Sequence, residues 1–260
     1  MFLPKSIRSM VGGRFSVAEG IGMSGASVYY LDDLVLKIEN ADWESENNLT
    51  MLRWLRGKVP VPDVLAEETV DGARYLLMSR LPGKMACDGA YLAQPEKVVK
   101  LLAEGLQMLW SVDPEGCPCD QTLSRKLENA RYQVENGLVD MDNVDPETFG
   151  EDGFASPAAL LRWLEEHRPA EEPVLSHGDY CLPNVFFGDG QVSGFLDLGR
   201  SGLADRWLDI AICWRSLRDN FNGAHGHTDP DFDPDSLFRE LGIQPDWEKI
   251  RYYLLVDELF

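Results

Sequence analysis

The chain has 260 residues, 44% of them hydrophobic, which is enough to bury the core of one bilobal enzyme or of two small domains. Its 24 basic and 44 acidic residues give a formal charge of −20. A field of that sign repels phosphate backbones, so nucleic acid is excluded as a partner. No apolar run approaches the ~20 residues of a membrane span, and five scattered cysteines without a signal peptide predict reduced thiols in the cytoplasm.

The first third of the chain is predicted to be rich in strands. Residues 14–18 alternate between apolar and polar, and two β-rich runs, 27–31 and 34–38, flank a short acidic turn, which is typical of a hairpin. Leucines at helical spacing predict a helix over 43–56, and residues 75–79 form another apolar strand.

Helical patterns dominate the rest of the chain. Leucine and valine recur at helix spacing after Pro95, and Ser156-Pro157 forms an N-cap and first-turn pair for another helix. Residues 205–217 and 246–259 also have helical patterns. We therefore predict an α+β, bilobal, protein-kinase-like fold, with a small β-rich nucleotide-binding lobe over 1–80 and a larger, mainly helical catalytic lobe over 81–260.

The strongest chemical pattern combines Asp179, Asn184 five residues later and Asp197 before a Leu-Gly pair. Phosphoryl transfer needs a carboxylate near the attacking hydroxyl and oxygen ligands for Mg²⁺. Protein kinases carry the same Asp-x-x-x-x-Asn spacing followed by Asp-x-Gly. The pattern predicts Asp179 as the catalytic base and Asn184 and Asp197 as metal ligands, whereas His177 is predicted to be structural.

A nucleotide site is indicated upstream. The segment 20–25 reads Gly-x-Gly-x-x-Gly and is followed by a predicted strand, which favours a phosphate-covering hairpin with the Ser24 hydroxyl near phosphate. Lys37 is a lone cation in an apolar strand and needs an anion such as nucleotide phosphate. Because a kinase lysine is usually held by a helix glutamate, Glu46 is predicted to pair with Lys37, with Glu44 behind it.

Taken together, these residues resemble the aminoglycoside 3′-phosphotransferases, a family of bacterial antibiotic-resistance kinases. The resemblance runs nearly end to end, with long matches over 176–184 and 192–211 and shorter ones over 57–62, 76–79 and 257–260. It implies a protein-kinase-like fold that binds ATP or GTP with Mg²⁺ between its lobes.

The resemblance also implies roles for individual residues. Lys37 would meet the α- and β-phosphates, Ser24 the β-phosphate, and the backbone from Ser79 to Leu81 the adenine edge. The residues implied to bind the polycationic aminoglycoside are Asp179, Arg200, Asp219, Glu147, Glu151, Asp257, Glu258 and the carboxylate of Phe260. The excess of acid has the correct sign for such a substrate. We expect a cytoplasmic monomer or weak dimer.

Two positions depart from the family pattern. The family usually carries its lysine-pairing glutamate six residues before the tryptophan of a Leu-x-Trp-Leu motif, and here that position is Asn48. Some relatives stack adenine on an aromatic residue two positions before the lysine, and here that residue is Val35.

Three alternatives remain on sequence grounds. The first is a kinase of the same fold acting on another small hydroxylated metabolite, such as choline, homoserine or a sugar. The second is a nucleotide-binding pseudokinase, for which Asn48 is the support. The third is a thiol hydrolase using Cys181 beside His177.

Overall fold

A computed structural model describes residues 3–11, 16–18, 26–150 and 153–260. The helices are Lys5–Val11 (α1), Trp43–Leu55 (α2), Gly89–Leu92 (α3), Pro95–Trp110 (α4), Leu123–Glu135 (α5), Pro157–Glu166 (α6), Arg206–Phe221 (α7), Ser236–Leu241 (α8) and Trp247–Asp257 (α9). The strands are Ser16–Ala18 (β1), Ser27–Leu31 (β2), Leu34–Asn40 (β3), Val64–Val70 (β4), Ala73–Ser79 (β5), Lys84–Met85 (β6), Pro173–Ser176 (β7), Val185–Gly188 (β8), Gln191–Phe195 (β9) and Gly202–Asp205 (β10).

A five-stranded antiparallel sheet carries the N-terminal part of the chain, with strand order β1-β2-β3-β5-β4. The predicted hairpin is β2–β3, and Asp32 in its turn has a φ of 52°, a left-handed conformation that Asp tolerates in turns. One face of the sheet packs on α1 through a small cluster that includes Ile7, Leu36 and Leu77. The other face belongs to the main core and faces α2.

Helix starts follow the capping signals in the sequence. Asp42 caps α2 in a reciprocal arrangement with Ser45, in which each backbone N–H meets the other side chain. Ser156 caps α6 through the amide of Ala159, and Asp246 caps α9. The predicted helices over 43–56, from Pro95, from Pro157, over 205–217 and over 246–259 are therefore confirmed, with small shifts at their ends.

Two small sheets frame the region of the predicted catalytic residues. Strands β7 and β10 pair antiparallel, with Ser176 opposite Gly202, and β6, β8 and β9 form a three-stranded sheet. The helices α4, α7 and α9 contribute most of their apolar faces to the core behind these strands. Within the described residues, no helix combines the length and apolarity that crossing a bilayer requires.

Candidate active site

The loop that follows β7 is anchored by one fully buried carboxylate. Asp209 on α7 accepts hydrogen bonds from the backbone amides of His177 (2.8 Å) and Gly178 (2.9 Å). Burial raises the pKa of Asp209 and lowers the pKa of the neighbouring His177. A buried histidine with a lowered pKa is neutral at pH 7, which supports the structural role predicted for His177.

Gly178 is required by its surroundings. Its φ is 83°, and a Cβ atom there would lie 1.9 Å from the carbonyl oxygen of Arg200. No side chain fits at that distance, because the Arg200 carbonyl group that a Cβ would meet is part of the backbone and cannot rotate away. The glycine therefore lets the loop before Asp179 lie directly against the segment after Asp197.

Asp179 and Asn184 meet as the spacing predicts. The Asn184 Nδ2 donates to Asp179 Oδ2 (2.8 Å) and to the Asp179 carbonyl oxygen (3.0 Å) from a short 3₁₀ turn over Leu182–Asn184. Burial, followed by the charge of Asp257, raises the pKa of Asp179. The carboxylate is thus oriented by an amide and made more basic, which suits a group that accepts a proton from a hydroxyl.

Asp197 contacts the lysine of β3. Its Oδ1 is 2.5 Å from Lys37 Nζ, and its backbone has a φ of 53°, a left-handed conformation that turns the chain sharply after β9. The hydrogen bonds among the described residues engage neither Asp197 Oδ2 nor Asn184 Oδ1. Carboxylate and amide oxygens are the ligands that Mg²⁺ takes, and two protein ligands are enough when phosphates and water complete the shell, so these residues fit a magnesium ion.

The predicted ion pair between Lys37 and Glu46 is wrong. Glu46 projects from α2 to the guanidinium of Arg74 on β5, and Lys37 pairs with Glu39 and Asp197. A position on the helix favours Glu46, whereas Glu39, which pairs with Lys37, lies two residues along the same strand, where side chains share a face.

The predicted nucleotide contacts lie partly in the described region. Ser79 ends β5, and its amide and hydroxyl are both bonded to the backbone of Asp63. No described residue accepts from the amide of Leu81, which leaves it as the open donor of this segment. Ser24 lies outside the described residues.

A cluster of charges lies near Asp179. Arg200 Nε is 3.0 Å from Glu44 Oε1, its Nη1 is 3.3 Å from Asp257 Oδ1, and its guanidinium stands over the ring of Phe260 at 5.4 Å. Asp257 also pairs with Arg215. Although burial acts to raise it, these two guanidinium groups hold the pKa of Asp257 below its usual value. Asp257 is therefore ionised and fixed in place.

The other acidic residues predicted to bind substrate differ in burial and in their contacts with other residues. Glu258 is largely buried and accepts from the backbone amide of Asp145 (2.7 Å), so it fastens the loop before α6. Asp219 on α7 is half-buried beside Arg218 (2.8 Å), and Glu147 is exposed. Glu151 lies outside the described residues.

Three residues of this region were missed by the sequence analysis: Asp209, Arg215 and Lys126. Asp209 and Arg215 lie on α7, and their partners lie 31 to 42 residues away. Lys126 on α5 is buried, with its Nζ 5.9 Å from the centre of the Phe260 ring. A lysine inside a helical stripe is a weak signal, because long basic side chains usually reach the surface.

Lys126→Met is expected to raise the free energy of unfolding at pH 7 by about 2 kcal/mol. Burial, with the charge of Arg200, lowers the pKa of the Lys126 amine to about 8. A folded-state pKa below the unfolded value means that the charged lysine destabilises the fold below pH 8, and that this penalty disappears as pH rises towards 10. Thermal or denaturant unfolding of both proteins at pH 7 and pH 10 measures the difference.

Lys100→Met provides the matched control, since Lys100 is exposed on α4. Its effect is expected to stay within about 0.5 kcal/mol at both pH values. A Lys126→Met protein that is less stable than the wild type at pH 7 would contradict the assigned penalty.

Comparison with known proteins identifies the family. Residues 20–253 match the Phosphotransferase enzyme family. An aminoglycoside 3′-phosphotransferase of Enterococcus faecalis is 40% identical over 100% of this chain and 99% of its own length, and one of Staphylococcus aureus is 39% identical over the same shares.

Solved structures agree on the fold. A crystal structure of an aminoglycoside 3′-phosphotransferase of type VIII is 28% identical, with a TM-score of 0.80 over 98% of both chains. An aminoglycoside phosphotransferase of Streptomyces rimosus in complex with ADP and streptomycin is 26% identical, with a TM-score of 0.75 over 98% of this chain and 96% of its own. The predicted kinase-like α+β fold is confirmed, and the chain belongs to the phosphotransferase enzyme family, among the aminoglycoside 3′-phosphotransferases.

Proposed function

We propose that this chain transfers the γ-phosphoryl group of ATP to the 3′-hydroxyl of an aminoglycoside. The observation that carries the proposal is the position of Asp179, which accepts from Asn184 (2.8 Å) and lies close enough to Asp257, Arg200 and Asp197 for their charges to act on its pKa. The full-length similarity to aminoglycoside 3′-phosphotransferases supports the substrate class.

The chemistry divides between the residues as follows. The substrate hydroxyl oxygen forms a bond to the γ-phosphorus while the bond from that phosphorus to the bridging oxygen of ADP breaks, and the hydroxyl proton passes to Asp179. Lys37 would contact the nucleotide phosphates. When bound by Asn184 and Asp197, Mg²⁺ would neutralise charge on those phosphates. GTP would use the same residues, since none of them reads the base.

Charge accounts for recognition of a polycation. The chain carries a formal charge of −20, and we infer that the carboxylates of Asp219, Glu147 and Asp257 contribute to binding of the substrate. Arg200 and Arg215 offset part of that charge. We infer that these arginines hold the carboxylates in position and do not face the amino groups of the substrate.

The direct test is an ADP-release assay with Mg-ATP that compares kanamycin with its 3′-deoxy relative tobramycin. Turnover with kanamycin alone is expected, because tobramycin lacks the accepting hydroxyl. Turnover with both would move the phosphorylated position elsewhere on the sugar. Nucleotide binding without turnover of either compound would overturn the proposed substrate in favour of another small alcohol.

Salt is expected to weaken recognition of the aminoglycoside. Raising ionic strength from about 0.05 to 0.5 M shortens the screening length from above 10 Å to below 5 Å, so the KM for kanamycin should rise several-fold, on the order of 3- to 10-fold. The inhibition constant of tobramycin, which has the same kind of charge and does not react, should rise in parallel. A KM that is independent of salt would contradict an electrostatic role for the acid cluster.

A further inference from the structure

The anchoring of Lys37 lies within a single strand. Lys37 and Glu39 are two residues apart on β3, so their side chains share one face of the sheet. The Lys37 Nζ lies 2.8 Å from Glu39 Oε2 and 2.5 Å from Asp197 Oδ1. The Lys37 and Glu39 side chains are only 9% and 14% exposed, so their contact is shielded from solvent and from salt.

Helix α2 supplies no carboxylate to this lysine. Asn48 on α2 is buried, and its Oδ1 accepts from the backbone amide of Leu198 (3.0 Å), next to Asp197. Glu46 pairs with Arg74, and Glu44 pairs with Arg200. Glu44, Glu46 and Asn48 are thus engaged with other groups, and none of them contacts Lys37.

The buried position of Glu39 carries a penalty in folding free energy. Its Oε1 is buried and has no hydrogen-bond partner among the described residues, whereas Oε2 faces Lys37. A buried carboxylate oxygen without a partner disfavours the folded state. Such a local conflict is typical of a group retained for function. The cross-strand neighbour of Glu39 is Arg74, which is committed to Glu46, so Arg74 does not take the role of Lys37.

The two carboxylates that pair with Lys37 differ in whether they would also bind the metal ion. Asp197 is a proposed metal ligand, and a metal ion on its carboxylate would compete with the lysine. Glu39 has no such second task, so it is the carboxylate that remains with Lys37 when nucleotide and metal are present.

We propose that Glu39 is the positioning residue of Lys37, a carboxylate on the lysine's own strand that takes the place of the glutamate that kinases carry on a helix. The proposal rests on the proposed phosphotransferase function. It makes the placement of Lys37 independent of where α2 stands, and it assigns Asn48 to the loop after Asp197. Compared with kinases that carry a helix glutamate, the carboxylate lies on the strand, and the ion pair between lysine and carboxylate is kept.

The test compares Glu39→Gln, the double variant Glu39→Gln/Asn48→Glu and the wild type in the full chain. The measurements are the dissociation constant of Mg-ATP by calorimetry, the KM for ATP, the KM for kanamycin, kcat and Tm. Direct nucleotide binding needs no aminoglycoside, so it reports on Glu39 even if kanamycin proves not to be the substrate. Glu68→Gln is the matched control, because Glu68 lies on the opposite face of the same sheet.

Glu39→Gln is expected to weaken Mg-ATP binding and to lower kcat/KM for ATP by about 10- to 100-fold, the usual effect of removing a group that orients an essential one. The KM for kanamycin should not change, and the double variant should recover at least about tenfold, because a carboxylate returns from the helix side. Wild-type Mg-ATP affinity in Glu39→Gln would overturn the proposal. So would a loss that is accompanied by a lower Tm and persists in the double variant, since that pattern reports structural damage.

Discussion

Asp179→Asn should lower kcat by about 10³-fold while leaving the affinity for Mg-ATP within about twofold of the wild type. The substitution keeps the shape of the side chain and an oxygen that can accept from Asn184, so the loop should hold its conformation. What is lost is the negative charge that receives the hydroxyl proton and attracts the substrate. Steady-state kinetics with kanamycin and calorimetry with Mg-ATP give the two numbers.

Asp189→Asn is the control for this experiment. Asp189 lies in the exposed turn between β8 and β9 with a φ of 51°, a conformation that Asn also tolerates. It receives the same change in charge in the turn at the end of β8, the strand that follows the Asp179 loop, and kcat should stay near the wild-type value. Comparable turnover in Asp179→Asn and Asp189→Asn would remove Asp179 from the chemical step.

Asp209→Ala should lower both stability and activity. The fully buried carboxylate accepts from the amides of His177 and Gly178, and its removal leaves the His177 N–H without a partner and the Gly178 N–H with only the Ser176 hydroxyl (3.1 Å). A cost on the order of 3 kcal/mol follows, equivalent to a fall in Tm of about 5–10 °C for a chain of this size. Because the same bonds hold the loop that carries Asp179, kcat should fall at least about tenfold at temperatures where the variant is still folded.

Asp233→Ala is the control that separates the loss of the Asp209 hydrogen bonds from the loss of a carboxylate elsewhere in the chain. Asp233 is half-exposed and pairs with Arg239 on the surface (2.8 Å), so its Tm should change by no more than about 2 °C. If Asp209→Ala kept the wild-type kcat at a temperature where it is folded, the loop would not depend on Asp209 for its conformation.

Local patterns account for most elements that could be predicted. Alternation of apolar and polar residues predicts the hairpin β2–β3. Leucine spacing and capping residues within a few positions predict the helices α2, α4 and α6. Strand β4 was missed because Val64–Val70 alternates poorly and carries two adjacent glutamates, which are unusual in a strand. This strand forms through its antiparallel hydrogen bonding to β5, which its own sequence pattern does not indicate.

The candidate site was predictable where spacing along the chain encodes function. Asp179 and Asn184 meet because five residues separate them within one loop. Lys126 was missed because its neighbour Phe260 is brought to it by packing between elements distant in sequence. The partner of Lys37 was predicted wrongly although it lies two residues away on the same strand. Reading the strand periodicity of β3 past Lys37 would have pointed to Glu39.

The close contact at Gly178 has a mechanical consequence. The loop holding Asp179 and the segment holding Asp197 share backbone contact at Arg200, the Ser201 hydroxyl bond to Ser176 (2.7 Å) and the β7–β10 pairing. These ties hold the Asp179 loop and the Asp197 segment together as one rigid unit. If this unit moves against β3, its internal spacing is kept, and the distance between Asp197 and Lys37 changes with the movement.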